Sequence, residues 1–261
     1  MPELTRPAPS GQSSAIKANL TKVRDAKPDP LMSRVHWRLF VTLVMGISLM
    51  YPVQGQLHAQ DEDDLEVMGW SLVRNKDGVA VYNRELAESK VRGIMARAEV
   101  DVESARIFAV ITDFDNWVNF MPYVHESEII DRSDQSEWVY LRIRGPFIKD
   151  RSFVSEVTLE KKIGGIERYV MKWQLAEERT QELNIRGIIV PKSNTGYWEL
   201  RPIGDGTRTY VTYSLHADPA GKVPKWMINL ANKRTVPSVF KAVRRQAQLD
   251  QYDVNNTADL D

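Results

Sequence analysis

Arg151 is the charged residue whose sequence context most clearly indicates a binding role. It precedes Phe153 and Val154 in a segment that alternates like a β-strand, so its guanidinium group is expected to lie near an apolar interior. A buried guanidinium needs an acceptor, because desolvating an unpaired charge is costly. The residues alone leave two interpretations open: an anchor for a ligand hydroxyl or head group, or one half of a structural salt bridge.

Several large apolar side chains are candidates for the lining of a pocket. Pockets for hydrophobic molecules are mostly apolar and contain few polar anchors. Each residue taken singly is better explained as part of an ordinary core, and only as a set do they suggest a lining. The predicted ligand-binding residues besides Arg151 are Phe153, Trp173, Tyr197 and Tyr213 in strands, and Trp226, Met227 and Leu230 in a C-terminal helix.

Catalytic and metal-binding signatures are scarce. The chain has no cysteine, which excludes disulfides, thiolate metal sites and thiol nucleophiles. Of its four histidines, His36 and His58 fall in the N-terminal segment, and neither His125 nor His216 has a carboxylate at motif spacing. No paired-histidine metal motif or serine hydrolase signature is present. We therefore predict no catalytic residues, no metal and no cofactor.

The charge balance excludes some classes of protein. The 35 basic and 35 acidic residues cancel, which argues against binding nucleic acid through a basic surface. The cancellation is uneven, because residues 1–59 carry seven basic and three acidic side chains. The remainder is therefore mildly acidic, and the basic segment indicates a targeting region.

Residues 1–59 predict a disordered leader followed by a secretory signal peptide. A basic stretch at 32–38 precedes the uncharged apolar run 39–51, and Ala59 is a small residue at the expected cleavage point. Met32 is then a candidate for the true start. This pattern predicts export, in a bacterium to the periplasm.

An uncleaved N-terminal membrane anchor is the alternative for the same segment. A spanning helix needs about 20 apolar residues. Gly46 and Pro52 interrupt the apolar run, so we favour cleavage.

The remaining chain predicts one α+β domain over residues 66–250, after an acidic linker at 60–65 and before a disordered tail at 251–261. Period-two alternation predicts strands with one face turned to solvent and one to an apolar interior. A terminal helix begins near Pro224, and Pro237 is expected to break or kink it. The predicted strands are 79–85, 94–100, 127–132, 138–144, 151–160, 167–175, 185–190, 197–202 and 207–215, with a helix near 105–112 and a turn at 192–196.

Four segments together resemble START (StAR-related lipid-transfer) domains. They are the strand pair Gly196–Tyr213, the run Asp218–Asn229, the segment Gly145–Val154 and the loop Asp113–Trp117. The resemblance covers roughly residues 66–250. It implies a helix-grip fold, in which a curved antiparallel sheet surrounds a long C-terminal helix and an internal hydrophobic cavity.

The resemblance also implies a function. START domains bind and shield a single lipid or sterol-like molecule, so we expect a monomeric lipid carrier or sensor that is not an enzyme. Membrane contact is expected to be transient and hydrophobic, because no cationic surface stands out in the sequence. Arg151 matches the family's cavity arginine, but Ser152 replaces the adjacent acid, so its acidic partner is unassigned.

Two alternatives stay open on the same fold. Related helix-grip proteins include polyketide cyclases and aromatases, so an enzyme using the same cavity, with His125 or His216 as its acid or base, is one alternative. The other is a structural or partner-binding domain whose interior is filled by side chains.

Overall fold

The structure is a computed structural model that describes residues 64–145, 149–163, 166–183 and 189–253. Within these ranges it describes the backbone but not the side chains of residues 162, 163, 166 and 225–233. The predicted leader and signal peptide, and most of the predicted strand 185–190, lie outside the described residues.

Nine antiparallel strands form one sheet that supplies the framework of the domain. In the sheet the strands follow the order β1-β2-β3-β9-β8-β7-β6-β5-β4, so β3 and β9 join the N-terminal strands to the later meander. The strands are β1 Ser71–Lys76, β2 Val79–Arg84, β3 Gly93–Val100, β4 Val124–Arg132, β5 Glu137–Ile143, β6 Arg151–Ile163, β7 Ile166–Leu175, β8 Ser193–Ile203 and β9 Arg208–Asp218.

Helices accompany the sheet in the part of the chain that follows β3. They are α1 Ser104–Thr112, a 3-10 helix Phe114–Asn116, α2 Trp117–Phe120, α3 Glu177–Glu182, α4 Lys225–Gln246 and a 3-10 helix Asp250–Tyr252. Helix α4 continues through Pro237, so the break expected there does not occur. In the part of the chain that the structure describes, no helix combines the length and apolar character needed to cross a membrane.

The predicted α+β layout is confirmed, with corrections at particular elements. Strand β1 was missed because it lies at the sheet edge, where even Leu72 is 53% exposed, and it has no buried stripe. Residues 192–196 were predicted as a turn, but β8 begins at Ser193 and pairs with β9 from there. Helix α3, which was not predicted, covers the outer face beside Val154, whose N–H donates to Thr180 Oγ1 at 2.9 Å.

The core lies on the inner face of the sheet. In β3 the alternating residues Ile94, Ala96, Ala98 and Val100 all face it, as predicted. Met95, predicted to face solvent, is also buried, in a second cluster on the other face of the sheet. That cluster is formed with Leu65, Trp70 and Tyr82.

The domain extends beyond both of its predicted ends. Leu65, assigned to an acidic linker, is 2% exposed and belongs to the second cluster. Tyr252, assigned to a disordered tail, is 6% exposed and packs in the main core. A single buried apolar side chain at each end is too weak a sequence signal to move a boundary.

Tyr252 fixes the C-terminal end of helix α4 to the end of α1. Its hydroxyl donates to Asp113 Oδ2 at 2.6 Å and accepts from Asn116 Nδ2 at 2.8 Å and from Gln246 Nε2 at 3.1 Å. Because one hydroxyl joins groups from three elements, this end of the helix is held in place.

We predict that Tyr252→Phe lowers the free energy of unfolding by about 1–3 kcal/mol, because three partly buried polar groups lose their shared partner. Urea denaturation of the full-length chain measures this change. Tyr123→Phe is the matched control, because Tyr123 is 41% exposed and should change stability little. Equal stabilities of the two variants would contradict the assignment.

Candidate ligand cavity

A cavity of about 280 Å³ lies between the inner face of strands β5–β9 and helix α4. Its wall is mostly apolar, and its volume is near the lower end of the usual range for small-molecule sites, about 300–1,000 Å³. The strands contribute Val139, Leu141, Ile143, Arg151, Phe153, Ser155, Val157, Met171, Trp173, Asn194, Trp198, Tyr213, Leu215 and Ala217. Helix α4 adds Thr235 and Val239, the two short helices after α1 add Phe114 and Trp117, and connecting segments add Met121, Pro122, Tyr123, Pro191 and Pro219.

The structure brings four of the predicted site residues together. Arg151, Phe153, Trp173 and Tyr213 all line this cavity. Their role in binding a ligand stays a prediction. The side chains of the three helix candidates, at positions 226, 227 and 230, lie outside the described residues.

The predicted placement of Tyr197 in the lining is wrong. Tyr197 is opposite Ser214 and Lys172 in the sheet register and lies in a groove on the outer face. Its neighbour Trp198 is directly opposite Tyr213 and lines the cavity instead. The alternation in β8 could have shown this. Polar Glu199 lies on the same face of the strand as Tyr197, whereas apolar side chains lie on the face of Trp198.

A wall of four aromatic rings joins the cavity to helix α4. Tyr213 stacks on Trp173 at 5.9 Å between ring centroids and packs against Trp198 at 4.6 Å. Trp198 in turn contacts Phe240 of the helix at 5.4 Å. Such offset and tilted pairs add stability beyond the area they bury. The rings therefore hold the helix on the sheet and form one side of the cavity.

Gly196 makes room for this wall. It faces the same side of β8 as Trp198, and a Cβ at this position would overlap the Trp173 ring and the Ser214 carbonyl oxygen. The absence of a side chain at Gly196 thus lets the indole of Trp173 lie across β8 and reach Tyr213.

Tyr213 supplies a polar group on this wall. Burial raises the pKa of its phenol, so the hydroxyl stays protonated at physiological pH. No described residue lies within hydrogen-bond distance of that hydroxyl. It is therefore available to a polar atom of a bound molecule.

Arg151 is buried at 4% exposure and bonds to backbone carbonyls. Its Nε donates to the Pro219 oxygen at 3.0 Å, Nη2 donates to the Ala220 oxygen at 3.1 Å, and Nη1 donates to the Lys149 oxygen. Burial lowers the pKa of Arg151, although a guanidinium keeps its charge at neutral pH.

The sequence could not identify an acidic partner for this arginine, and the described residues provide none. Ser152, which occupies the position of the family's acid, instead lies within 3.2 Å of the Tyr140 hydroxyl. A guanidinium has five N–H donors. Three of those of Arg151 go to carbonyls, so two have no partner among the described residues.

Three other lining side chains, Ser155, Asn194 and Trp117, also carry polar atoms. Asn194 Nδ2 donates to Ser155 Oγ at 3.4 Å. The indole Nε1 of Trp117 is buried and has no acceptor within the described ranges. Buried donors in native proteins are usually paired with protein, water or ligand. The cavity is therefore apolar with a few polar positions, none of which sequence reasoning identified except Arg151 and Tyr213.

The two histidines lie away from the cavity. His216 is on the outer face, where Nε2 lies 2.9 Å from Ser89 Oγ. His125 is exposed on β4. Over the described ranges, no group of three or more acidic or histidine side chains is arranged to hold a metal ion.

We predict that Gly196→Ala destabilises the fold by about 1–3 kcal/mol, because the added methyl group displaces the Trp173 ring. Near-ultraviolet circular dichroism and urea denaturation should both change. Gly93→Ala in β3 is the control, because a Cβ there meets Leu86 and Trp70 at an ordinary 3.5 Å. Unchanged aromatic dichroism in Gly196→Ala would contradict the packing described.

Comparison with known proteins places the chain among relatives of this architecture. A crystal structure of a STAR-related lipid transfer protein fragment from Xanthomonas axonopodis is 25% identical, with a TM-score of 0.62 over 69% of this chain and 99% of that chain. Human StAR-related lipid transfer protein 5 is 17% identical, with a TM-score of 0.62 over 75% of this chain and 96% of its own. The shared fold confirms the predicted helix-grip architecture.

Sequence comparison gives the family. An uncharacterized protein of Pseudomonas aeruginosa is 29% identical over 183 residues, which are 69% of this chain and 87% of that protein. Residues 100–244 match the family model described as polyketide cyclase/dehydrase and lipid transport. That match spans more than half of the chain and most of the sheet, with helix α4. The chain belongs to the polyketide cyclase/dehydrase and lipid transport family and has its START-like helix-grip fold.

Proposed function

We propose that the protein binds and shields one lipid or sterol-like molecule in the cavity, as a carrier or sensor. The observation that carries this proposal is a largely apolar cavity that the described side chains leave unfilled. The lipid transfer proteins from Xanthomonas axonopodis and human, which share the fold, support it.

The driving force is the transfer of apolar ligand surface from water, at about 25 cal/mol per Å². The cavity of about 280 Å³ has room for one compact hydrophobic molecule or part of a larger one. The aromatic wall contributes rigid contact area at little cost in side-chain entropy. A single ligand per chain follows from these dimensions.

Arg151 and the Tyr213 hydroxyl orient that ligand. The two remaining guanidinium donors suit a carboxylate or phosphate oxygen, and charge-assisted hydrogen bonds are the stronger kind. The loop that carries Pro219 and Ala220 is tied to Arg151, so a head group at this position lies beside the loop leading into helix α4.

Loading requires part of helix α4 to move. Tyr252 holds the C-terminal end, which leaves the N-terminal half and the loop before it as the movable part. Pro237 has no N–H and so removes one helical hydrogen bond between the two halves. We propose that the helix loosens at Pro237 to admit the ligand.

A cyclase-like enzyme in the same cavity is the alternative, and the description of the family covers both activities. Acid–base catalysis requires a titrating group that faces the substrate. The described lining residues include no aspartate, glutamate, histidine or lysine. Neither histidine lines the cavity, and burial keeps Tyr213 protonated. These positions favour the carrier.

We also propose that the protein is exported through the segment at 32–59, works as a monomer in the periplasm and meets membranes transiently. The order of basic, apolar and small residues supports cleavage after export. N-terminal sequencing of protein from the periplasmic fraction tests it, and a retained leader in the membrane fraction would favour the anchor.

We predict that Ala217→Trp weakens binding of a dansyl-labelled fatty acid about tenfold or more, because the indole occupies the cavity beside β9. Fluorescence titration measures the affinity. Ser214→Trp is the matched control, since it adds the same side chain to the outer face of the same strand. Binding that is equal in the two variants, or absent from the unchanged protein, would contradict a ligand in this cavity.

We predict that Arg151→Met lowers affinity for the labelled acid about tenfold but leaves affinity for its methyl ester almost unchanged. Arg151→Lys, which retains the charge, should keep part of the preference. Thermal denaturation should show a loss of stability in both variants, because carbonyls lose donors. Equal losses for acid and ester would assign Arg151 a structural role only.

A further inference from the structure

A second cleft, of about 530 Å³, lies on the outward side of helix α4. It separates the helix from the turn between β1 and β2 and shares no described lining residue with the cavity. Four cations line it, Arg74, Arg234, Lys241 and Arg244. Its one described carboxylate is that of Asp77. The cleft therefore carries a concentrated positive charge.

Arg244 is fixed at the inner end of this cleft. Its guanidinium donates to the carbonyl oxygens of Asp77 at 2.8 Å, Glu99 at 3.0 Å and Gly78 at 3.4 Å. Burial lowers its pKa, while the carboxylates of Asp77 and Asp101 act in the opposite direction. No described carboxylate forms an ion pair with Arg244, so its charge adds to the field in the cleft.

Arg234 and Lys241 form the exposed rim. They lie seven residues apart, two helical turns along one face of α4, and Ser238 lies between them. No acidic side chain among the described residues pairs with either. Arg74 approaches from β1 on the other side of the cleft. Cations from two elements therefore converge on one space.

The composition of helix α4 also gives this surface a positive charge. Over its 22 residues, Lys225–Gln246 contains six basic and no acidic residues, although the chain as a whole has 35 of each. A surface helix whose only role is to pack on the sheet would normally carry both acidic and basic side chains. The excess is concentrated on the element that also closes the cavity.

We propose that this cleft binds a phosphate group. Arginine forks match phosphate oxygens in geometry, and a lysine ammonium adds a point charge at the rim. The group belongs either to free phosphate or to the head group of an anionic lipid, which present the same oxygens. A bound phosphate would bridge β1 and helix α4 and hold the helix against the sheet. This site does not depend on the proposed cavity ligand.

The test is isothermal titration of the full-length chain with inorganic phosphate at constant ionic strength. Flotation with phosphatidylcholine vesicles, with or without phosphatidylglycerol, forms the second arm. Arg234→Gln and Lys241→Gln should each weaken binding about 3- to 10-fold. Both side chains are exposed, so folding should be unaffected. Asp77→Asn should strengthen binding a few-fold by removing the opposing charge, and asparagine tolerates the positive φ of 55° at this position.

Lys90→Gln is the charge-matched control. Lys90 lies in the loop between β2 and β3, at the opposite end of these strands from the β1–β2 turn. If inorganic phosphate binds, and if Arg234→Gln and Lys241→Gln weaken its binding while Lys90→Gln does not, the cleft is a site for the free anion. If the protein binds phosphatidylglycerol vesicles but not inorganic phosphate, and the variants have the same effects, the cleft is a site for a lipid head group. Absence of both, or equal effects of Lys90→Gln and the cleft variants, would overturn the proposal.

Discussion

The contacts of Tyr213 with the rings around it are the interaction on which the rest of the structure depends. Through Trp173 and Trp198 the ring joins three neighbouring strands, and through Phe240 it reaches helix α4. These stacked, tilted and edge-on ring contacts hold the helix on the sheet, while the described side chains leave part of the space beneath it empty. A close-packed interior would normally leave few voids. The cavity exists because the sheet offers more inner surface than one helix covers.

The two ends of helix α4 are held by different contacts, and this difference bears on how a ligand would enter the cavity. The C-terminal end is joined to α1 by the Tyr252 hydroxyl and to the β1–β2 turn by Arg244. The loop before the helix is tied to the sheet by carbonyl bonds to Arg151. A ligand head group competing for that guanidinium would act directly on the loop. In the proposed function, entry to the cavity and recognition of the ligand are thus linked through Arg151.

The sequence predicted those features that repeat along the chain and missed those made by distant or isolated residues. Alternation in β3, β6 and β7 was enough to assign their inner faces. The inward-facing residue of β8 was predicted to be Tyr197 but is Trp198. Both are aromatic, so only their neighbours distinguish the two faces of the strand. Two of the three acceptors of Arg151 come from residues 68 and 69 positions away, which no local pattern reveals. The cationic cleft was missed because Arg74 and helix α4 meet only in the folded chain.

Native mass spectrometry of the protein purified from its own host tests the central claim most directly. We expect one hydrophobic molecule bound per chain, released on denaturation and absent from Ala217→Trp purified in the same way. A chain that emerges with no bound molecule, and whose crystal structure shows the space beside Tyr213 filled by its own side chains, would contradict it.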